Sequence, residues 1–354
     1  MAPESHPARD PERRLRPMSA VMITGAGRRY DIVASFAQHT TVVATETSRL
    51  APGQYAAQIR AIVPRIDDPQ YVPELRRLCA QHDVGAVIPL IDPDIAVLAA
   101  ARGRGELPAL VPDLAMAEAT FDKYETHLLL ERLGLPSPPT ILPGEAGDTA
   151  GGLGDVEHYP VIVKPRWGSN SRGIQLARDP AEAAFFVGYS DEPVIVQRAM
   201  GGPEFSIDCL CDLDGRCLNA IPRSMTESRG GESVKGTVLA DDELVELGRA
   251  VAEGVGARGP CMVQAFRDPE LGLRVTDVNI RFGGGYPSHM YGALPGQTYP
   301  ELIVRLARGE TVEPHVGDFR AGVTFARYYW QLELDADLRP TGRDIVDGGP
   351  PAPR

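Results

Sequence analysis

The chain has 354 residues, 43% hydrophobic and 24% charged, with a formal net charge of −12. That length exceeds one compact core and suits two or three packed subdomains. The acidic balance excludes a general nucleic-acid or anionic-membrane binder, whose surface needs a basic face, and no apolar run reaches the roughly 18 residues that span a bilayer.

Residues 1–17 are rich in Pro, Arg and Glu and lack the apolar stretch of a signal peptide, so a disordered leader is expected. Strand and helix signals then alternate. Ala20-Val21-Met22-Ile23-Thr24 reads as a strand ending at Gly25-Ala26-Gly27. A helix follows through Ile32, Val33 and Phe36, then a second strand, Thr41-Val42-Val43-Ala44-Thr45. Residues 73–82 read as helix, 84–89 as a buried strand, 94–102 as helix and 109–111 as a last short strand. This alternation implies a parallel sheet covered on both faces. Gly25 and Gly27, with Glu46 near the end of strand two, invite a dinucleotide reading. Tyr30, however, sits where that fingerprint needs a third small residue, and a plain tight turn is the better reading of the glycines.

The middle of the chain changes character. A helix over 115–133, containing Asp122-Lys123, is stopped by Pro136-Ser137-Pro138-Pro139. After a glycine-rich connector at 144–154 come Val161-Ile162-Val163-Lys164-Pro165, a loop, Gly173-Ile174-Gln175-Leu176, a helix over 180–187 and Val194-Ile195-Val196-Gln197. This is an α+β unit, and it places a domain boundary near residue 112. The five cysteines, Cys79, Cys209, Cys211, Cys217 and Cys261, show no paired zinc-ligand spacing. Cys209 and Cys211 share a strand face, as a redox or metal pair would, but buried thiols in a reducing cytosol are the simpler expectation.

Between Cys261 and Arg281 two strand-like runs, 263–266 and 273–279, flank the turn 268–272. In such a hairpin Gln264 lies opposite the Asp277 region, and Asp277 and Asn279 share a face. Converging hard oxygens suit Mg²⁺ bridging nucleotide phosphates; a solvated polar strand face fits the same residues. Trp167-Gly168-Ser169-Asn170-Ser171-Arg172-Gly173 follows a strand ending in Lys164. It is either a phosphate-cradling loop or a hairpin tip, and it is no Walker loop. Gln197-Arg198-Ala199-Met200 and then Glu204 offer a strand edge for adenine and a carboxylate for ribose.

In their order, Gly27-Arg28-Arg29, residues 88–94 (Ile-Pro-Leu-Ile-Asp-Pro-Asp), Asp122-Lys123, Val163-Lys164-Pro165, residues 231–236 and Asp277-Val278-Asn279-Ile280-Arg281 resemble the ATP-grasp superfamily from Ala20 to about Leu332. The likeness is nearest to carbamoyl-phosphate synthase large-subunit-like proteins. The resemblance implies a Rossmann-like pre-ATP-grasp α/β domain (18–111), then α+β ATP-grasp domains (112–334). The latter divide into a lid at about 112–200 and a large subdomain at about 201–334, with a flexible tail from 335 to 354. It implies ATP held by Lys123, Lys164, Gly168, Ser169, Gly173, Gln197, Ala199 and Glu204. One or two Mg²⁺ ions, with Mn²⁺ able to substitute, would sit on Gln264, Asp277 and Asn279. Arg281 would stabilise charge on the transferred phosphoryl group, and Lys235 and Glu232 would belong to a mobile loop near the phosphates or acceptor. Asp277 stands where the family usually has Glu, and Gln264 is neutral, so the metal set carries one formal charge.

The implied activity is that of a cytoplasmic ATP-dependent carboxylate–amine ligase that forms an acyl phosphate and releases ADP and phosphate. Small-molecule acid and amine substrates follow, flanked by Arg223, Arg229, Gly284 and the polar run at 286–291. Dimerisation is a family-level expectation carried by no particular residue. The rival readings are a carboxyphosphate-forming carboxylase, a nucleotide-binding module without turnover, and an NAD-dependent oxidoreductase resting on Gly25 and Gly27 alone.

Overall fold

The computed structural model describes residues 19–144, 153–154, 156–168, 172–229, 232–284, 294, 297–328 and 331–344. Residues 1–18, which include the expected leader 1–17, and residues 345–354 therefore lie outside the described residues.

The N-terminal domain is built on a four-stranded parallel sheet ordered β3-β2-β1-β4. Its strands are β1 (Ala20–Thr24), β2 (Thr41–Glu46), β3 (Ile59–Ile62) and β4 (Val84–Pro89). β1 is buried along its whole length, as a central parallel strand covered on both faces must be. Helices α1 (Tyr30–Ala37) and α2 (Tyr71–His82) connect strands of the sheet, and α3 (Asp92–Gly103) follows β4. β3 escapes the sequence reading because it is a short edge strand with alternate residues exposed. The strand expected at 109–111 reduces to one parallel bridge between Val87 and Ala109.

The helix expected over 115–133 is two: α4 (Leu114–Phe121) and α5 (Lys123–Arg132). Asp122 is extended, and its carboxylate accepts from the backbone N–H groups of Tyr124 (2.9 Å) and Glu125 (3.2 Å). It is thus the N-cap of α5.

A four-stranded antiparallel sheet follows, ordered β5-β8-β6-β7, from β5 (Thr140–Ile141), β6 (Val161–Pro165), β7 (Gln175–Ala177) and β8 (Val194–Arg198). Helix α6 (Pro180–Tyr189) packs on it. This sheet has its own core of Val161, Val163, Ala177, Ala183, Val194 and Val196 with Leu153. Leu129 and Leu130 of α5 and Ala117 of α4 belong instead to the main core, so the core of this sheet is separate from theirs.

The large subdomain carries the antiparallel sheet β10-β9-β13-β14, made of β9 (Glu204–Cys211), β10 (Cys217–Ser224), β13 (Gly259–Asp268) and β14 (Gly272–Asn279). A smaller sheet, β11-β12-β15, contains β11 (Glu227–Arg229), β12 (Glu232–Thr237) and β15 (Thr324–Ala326). Helix α7 (Asp242–Gly254) covers one face of the large sheet with Leu244, Leu247 and Val251, while α8 (Tyr299–Ala307) is buried beside the N-terminal domain. Phe36 of α1 meets Phe282 edge-on at 6.0 Å, inside a core that both domains share. Cys209, Cys211, Cys217 and Cys261 are buried free thiols, whereas Cys79, expected to be buried with them, is only half-buried.

The tail expected to be flexible from 335 is ordered in part. β16 (Leu332–Leu334) and β17 (Pro340–Asp344) form an antiparallel pair, joined by a turn in which Asp335 Oδ1 accepts from the Asp337 and Arg339 N–H groups. Among the described residues no helix is long and apolar enough to cross a membrane.

Candidate active site

The expected hairpin is present, and Gln264 pairs with Asp277 in register. A bulge between Gln264 and Ala265 interrupts the ladder there, the kind of irregularity that re-aims side chains. Beyond it, Asn279 Nδ2 donates to Asp277 Oδ2 at 3.2 Å, and Gln264 Nε2 donates to Glu204 Oε1 at 3.1 Å. Burial pushes the Glu204 carboxyl up; the Gln264 hydrogen bond and Arg223 oppose that, and Asp277 adds to it. Glu204, expected at a ribose, thus abuts the proposed metal set.

The β5-β8-β6-β7 sheet brings a lysine to the same region. Lys164, 7% exposed, donates from Nζ to Gln197 Oε1 at 2.9 Å, and Gln197 Nε2 donates to Thr140 Oγ1 at 2.9 Å. Burial lowers the Lys164 ammonium to about 8; Asp277 draws it up and Lys123 pushes it further down. Lys123 Nζ donates to the Gly168 carbonyl. One small cavity is lined by Lys123, Gly168, Asp277 and Asn279 together with Asp92 of α3. Arg281 reaches across to that carboxylate: Nε to Asp92 Oδ1 at 2.7 Å and Nη2 to Asp92 Oδ2 at 2.9 Å. Nη2 also donates to Asn279 Oδ1 at 3.1 Å.

The loop entrance is fixed by charge and backbone geometry. Arg166 Nε meets Asp122 Oδ2 at 2.7 Å, and the Arg166 carbonyl accepts from the Lys123 N–H at 3.0 Å. Gly173 has φ +69°, and a Cβ there would lie 3.0 Å from the Pro165 ring, so glycine suits the loop's exit on two counts. Ser169 lies outside the described residues, as do 170 and 171.

Other expected site residues sit elsewhere or are otherwise engaged. The Ala199 N–H donates to the Pro160 carbonyl at 3.1 Å, so the adenine edge expected there has that donor occupied. Arg223, expected to flank the substrates, is 1% exposed, with Nε on Asp208 Oδ2 at 2.7 Å. A buried guanidinium needs such a partner. Lys235 is half-exposed and paired with Glu227 at 2.6 Å on the neighbouring strand. Arg229 and Glu232 are register partners in β11 and β12; their side chains, and residues 285–293 with His289, lie outside the described residues. The Gly283 and Gly284 carbonyls accept from Arg29 Nη1 (3.1 Å) and Arg327 Nη1.

The donor set fits a hard cation. Gln264, Asp277 and Asn279 offer oxygen only, as Mg²⁺ prefers, and a single carboxylate leaves most of the anionic ligands to phosphate. Among the described residues no three His, Cys, Asp or Glu side chains gather in metal-binding geometry.

Two stretches of the chain match known protein families. Residues 21–107 match the family described as "PylC-like, N-terminal domain", and residues 190–328 match "ATP-grasp in the biosynthetic pathway with Ter operon". The chain carries an ATP-grasp domain. It is 25% identical to the carbamoyl phosphate synthase large chain of Agathobacter rectalis over 55% of this chain and 19% of that one. It is 26% identical to the D-alanine–D-alanine ligase of Corynebacterium efficiens over 56% of this chain and 61% of that one. The match therefore spans about a fifth of the synthase. In fold, the ATP-grasp domain and its N-terminal partner are similar to the biotin carboxylase domain of Hydrogenobacter thermophilus 2-oxoglutarate carboxylase, solved with MgADP, ADP and bicarbonate. The TM-score is 0.69 at 17% identity, covering 87% of this chain and 74% of that one.

Sequence reasoning quoted Asp92 without giving it a role, and missed Asp208, Thr140 and the Asp122–Arg166 pair. Asp122 carried a signal: an Asp followed three residues later by Glu125 is an N-cap pattern. Asp92 carried only a first-turn carboxylate, with no hint of its partner 189 residues away.

Proposed function

We propose that this chain is an ATP-dependent carboxylate–amine ligase, joining an acid and an amine of amino-acid or small-metabolite size and releasing ADP and phosphate. The observation that carries the reading is that Lys123, Asp277 and Asn279 line one cavity, with buried Lys164 close enough to feel the charges of Asp277 and Lys123 and Arg281 hydrogen-bonded to Asn279.

Mg²⁺ on Gln264, Asp277 and Asn279 would supply charge neutralisation of the nucleotide phosphates. Mn²⁺ offers the same hard-oxygen preference. The chain's own contributions are positional. Lys164 from the β5-β8-β6-β7 sheet and Lys123 from the first turn of α5 hold phosphate oxygens between them, and the 167–173 segment would close over them. Arg281 faces the charge that grows as the substrate carboxylate oxygen attacks phosphorus, the ADP oxygen leaves and an acyl phosphate forms. The amine then attacks the acyl carbon, and phosphate departs as the C–N bond is made. Preorganised positive charge in a cleft shielded from water lowers such barriers without a protein base. Lys235 and the segment around Glu232, on the small sheet beside β10, would approach the acceptor on closure, with Arg229 and Gly284 bordering it.

The test is to incubate the protein with Mg-ATP and pools of small acids and amines while measuring ADP, AMP and phosphate. ADP and phosphate appearing only with an acid–amine pair support the ligase. Release driven by bicarbonate alone points to a carboxylase, and AMP with pyrophosphate excludes the acyl-phosphate route. Arg281→Ala is expected to lower turnover about 10²-fold or more.

A further inference from the structure

We infer that Asp92, from the N-terminal domain, is the positioning residue that holds the Arg281 guanidinium at the phosphate end of the cleft. The inference rests on the reading of Arg281 given above.

The contact is bidentate, at 2.7 and 2.9 Å, and both side chains are largely out of water at 13% and 14% exposure. A forked pair of this kind fixes the guanidinium plane as well as its place. Two further bonds, Nη1 to the Phe282 carbonyl (3.0 Å) and Nη2 to Asn279 (3.1 Å), complete the orientation. Asp92 also lines the cavity it shares with Lys123, Asp277 and Asn279. An ion pair that merely tied two domains together would have no reason to stand there.

The carboxylate is itself rigidly mounted. It is the first residue of α3, and two residues on, the fully buried Asp94 accepts hydrogen bonds from Thr24 at the end of β1 and from Tyr71 at the start of α2. The Leu90 N–H donates to the Thr24 carbonyl at 3.1 Å. The N-terminal sheet thus sets where Asp92 stands, and Asp92 sets where Arg281 points.

Simple charge counting opposes the inference, which makes it testable. A carboxylate near bound phosphates repels them, so Asp92→Asn should strengthen phosphate binding if Asp92 only balances charge. If Asp92 positions Arg281, the same change must weaken it.

The experiment is calorimetric titration of MgADP with and without beryllium fluoride, a mimic of the γ-phosphoryl group. The wild-type protein is expected to gain affinity from the fluoride. Asp92→Asn and Arg281→Ala should each lose about tenfold of that gain, and the double variant no more than Arg281→Ala, as coupled residues do. Binding of MgADP alone should change less than about twofold, because ADP lacks the γ-phosphoryl group that Arg281 faces. Asp92→Glu should keep part of the gain, which a purely structural role would not predict. An unchanged or larger gain in Asp92→Asn, with Arg281→Ala impaired, overturns the positioning role alone. No gain in the wild type, or full gain in Arg281→Ala, overturns the Arg281 reading and this inference with it.

Discussion

Lys164 and Gln197 meet across β6 and β8, Nζ to Oε1 at 2.9 Å, with both side chains less than 8% exposed. Gln197 is in turn held by Thr140, so the amide that sequence reasoning placed beside adenine orients the lysine. The pairing keeps a protonatable group in a site poor in water, and its titration follows from that.

Burial brings the Lys164 ammonium down to about 8. Bound phosphates favour the protonated form, so nucleotide binding above pH 8 must take up a proton. Affinity for Mg-ATP should fall as pH rises through 8, by up to about tenfold per unit. Calorimetry in two buffers of different ionisation enthalpy measures the uptake directly; equal heats in both would refute it. The unfolded chain holds this proton up to the ordinary lysine range near 10.5. Between about 8 and that value the unfolded state therefore binds more protons, and Lys164 makes the apo protein more stable as pH rises. Lys164→Met should remove that slope from denaturation midpoints.

Asp277 is the sole carboxylate in the oxygen set with Gln264 and Asn279. Asp277→Asn should raise the Mg²⁺ concentration needed for half-maximal ADP release by about tenfold or more, since hard cations depend on anionic oxygen. A Mg²⁺ titration at fixed ATP checks it, and an unchanged midpoint would remove Asp277 from the metal set.

Asp94 accepts from the hydroxyls of Thr24 and Tyr71 in a buried pocket. Asp94→Ala leaves both hydroxyls without that acceptor and should cost about 2–4 kcal/mol of stability, the penalty for buried polar groups stripped of partners. Asp94→Asn, which keeps an acceptor oxygen, should cost less. Urea denaturation of the two variants makes the comparison.

Gly283 lies over the buried Arg223–Asp208 pair. A Cβ there would come 2.7 Å from Asp208 Oδ1 and 2.9 Å from Met262 Cγ, so Gly283→Ala must displace one of them. A loss of about 1–3 kcal/mol is expected, as for other overpacked sites. Turnover should fall with it, because Arg281 is two residues away. Thermal melts and ADP release on one preparation test both.

What the sequence disclosed was local. The Gln264–Asp277 register could be read because alternation and the Asp268–Gly272 turn fix a hairpin within 17 residues. The main parallel strands were legible as apolar runs. Asp92–Arg281 and Arg223–Asp208 were not, because no local pattern specifies which charge a guanidinium meets after the chain has folded back. β17 hid in a stretch whose proline and glycine favour turns; pairing with β16 overrides that preference.

The lid sheet's separate core bears on how the cleft opens. Its apolar side chains face one another and α6 rather than the body. Several of its ties to the body are polar: Arg166 to Asp122, Lys123 to the Gly168 carbonyl, Arg198 to Glu270 and the Gly201 N–H to Asp268. Water can replace such ties at small net cost, whereas parting an oily seam would expose surface with every swing. A unit attached in this way can admit nucleotide and release products by exchanging hydrogen bonds with solvent, its interior travelling intact through each cycle.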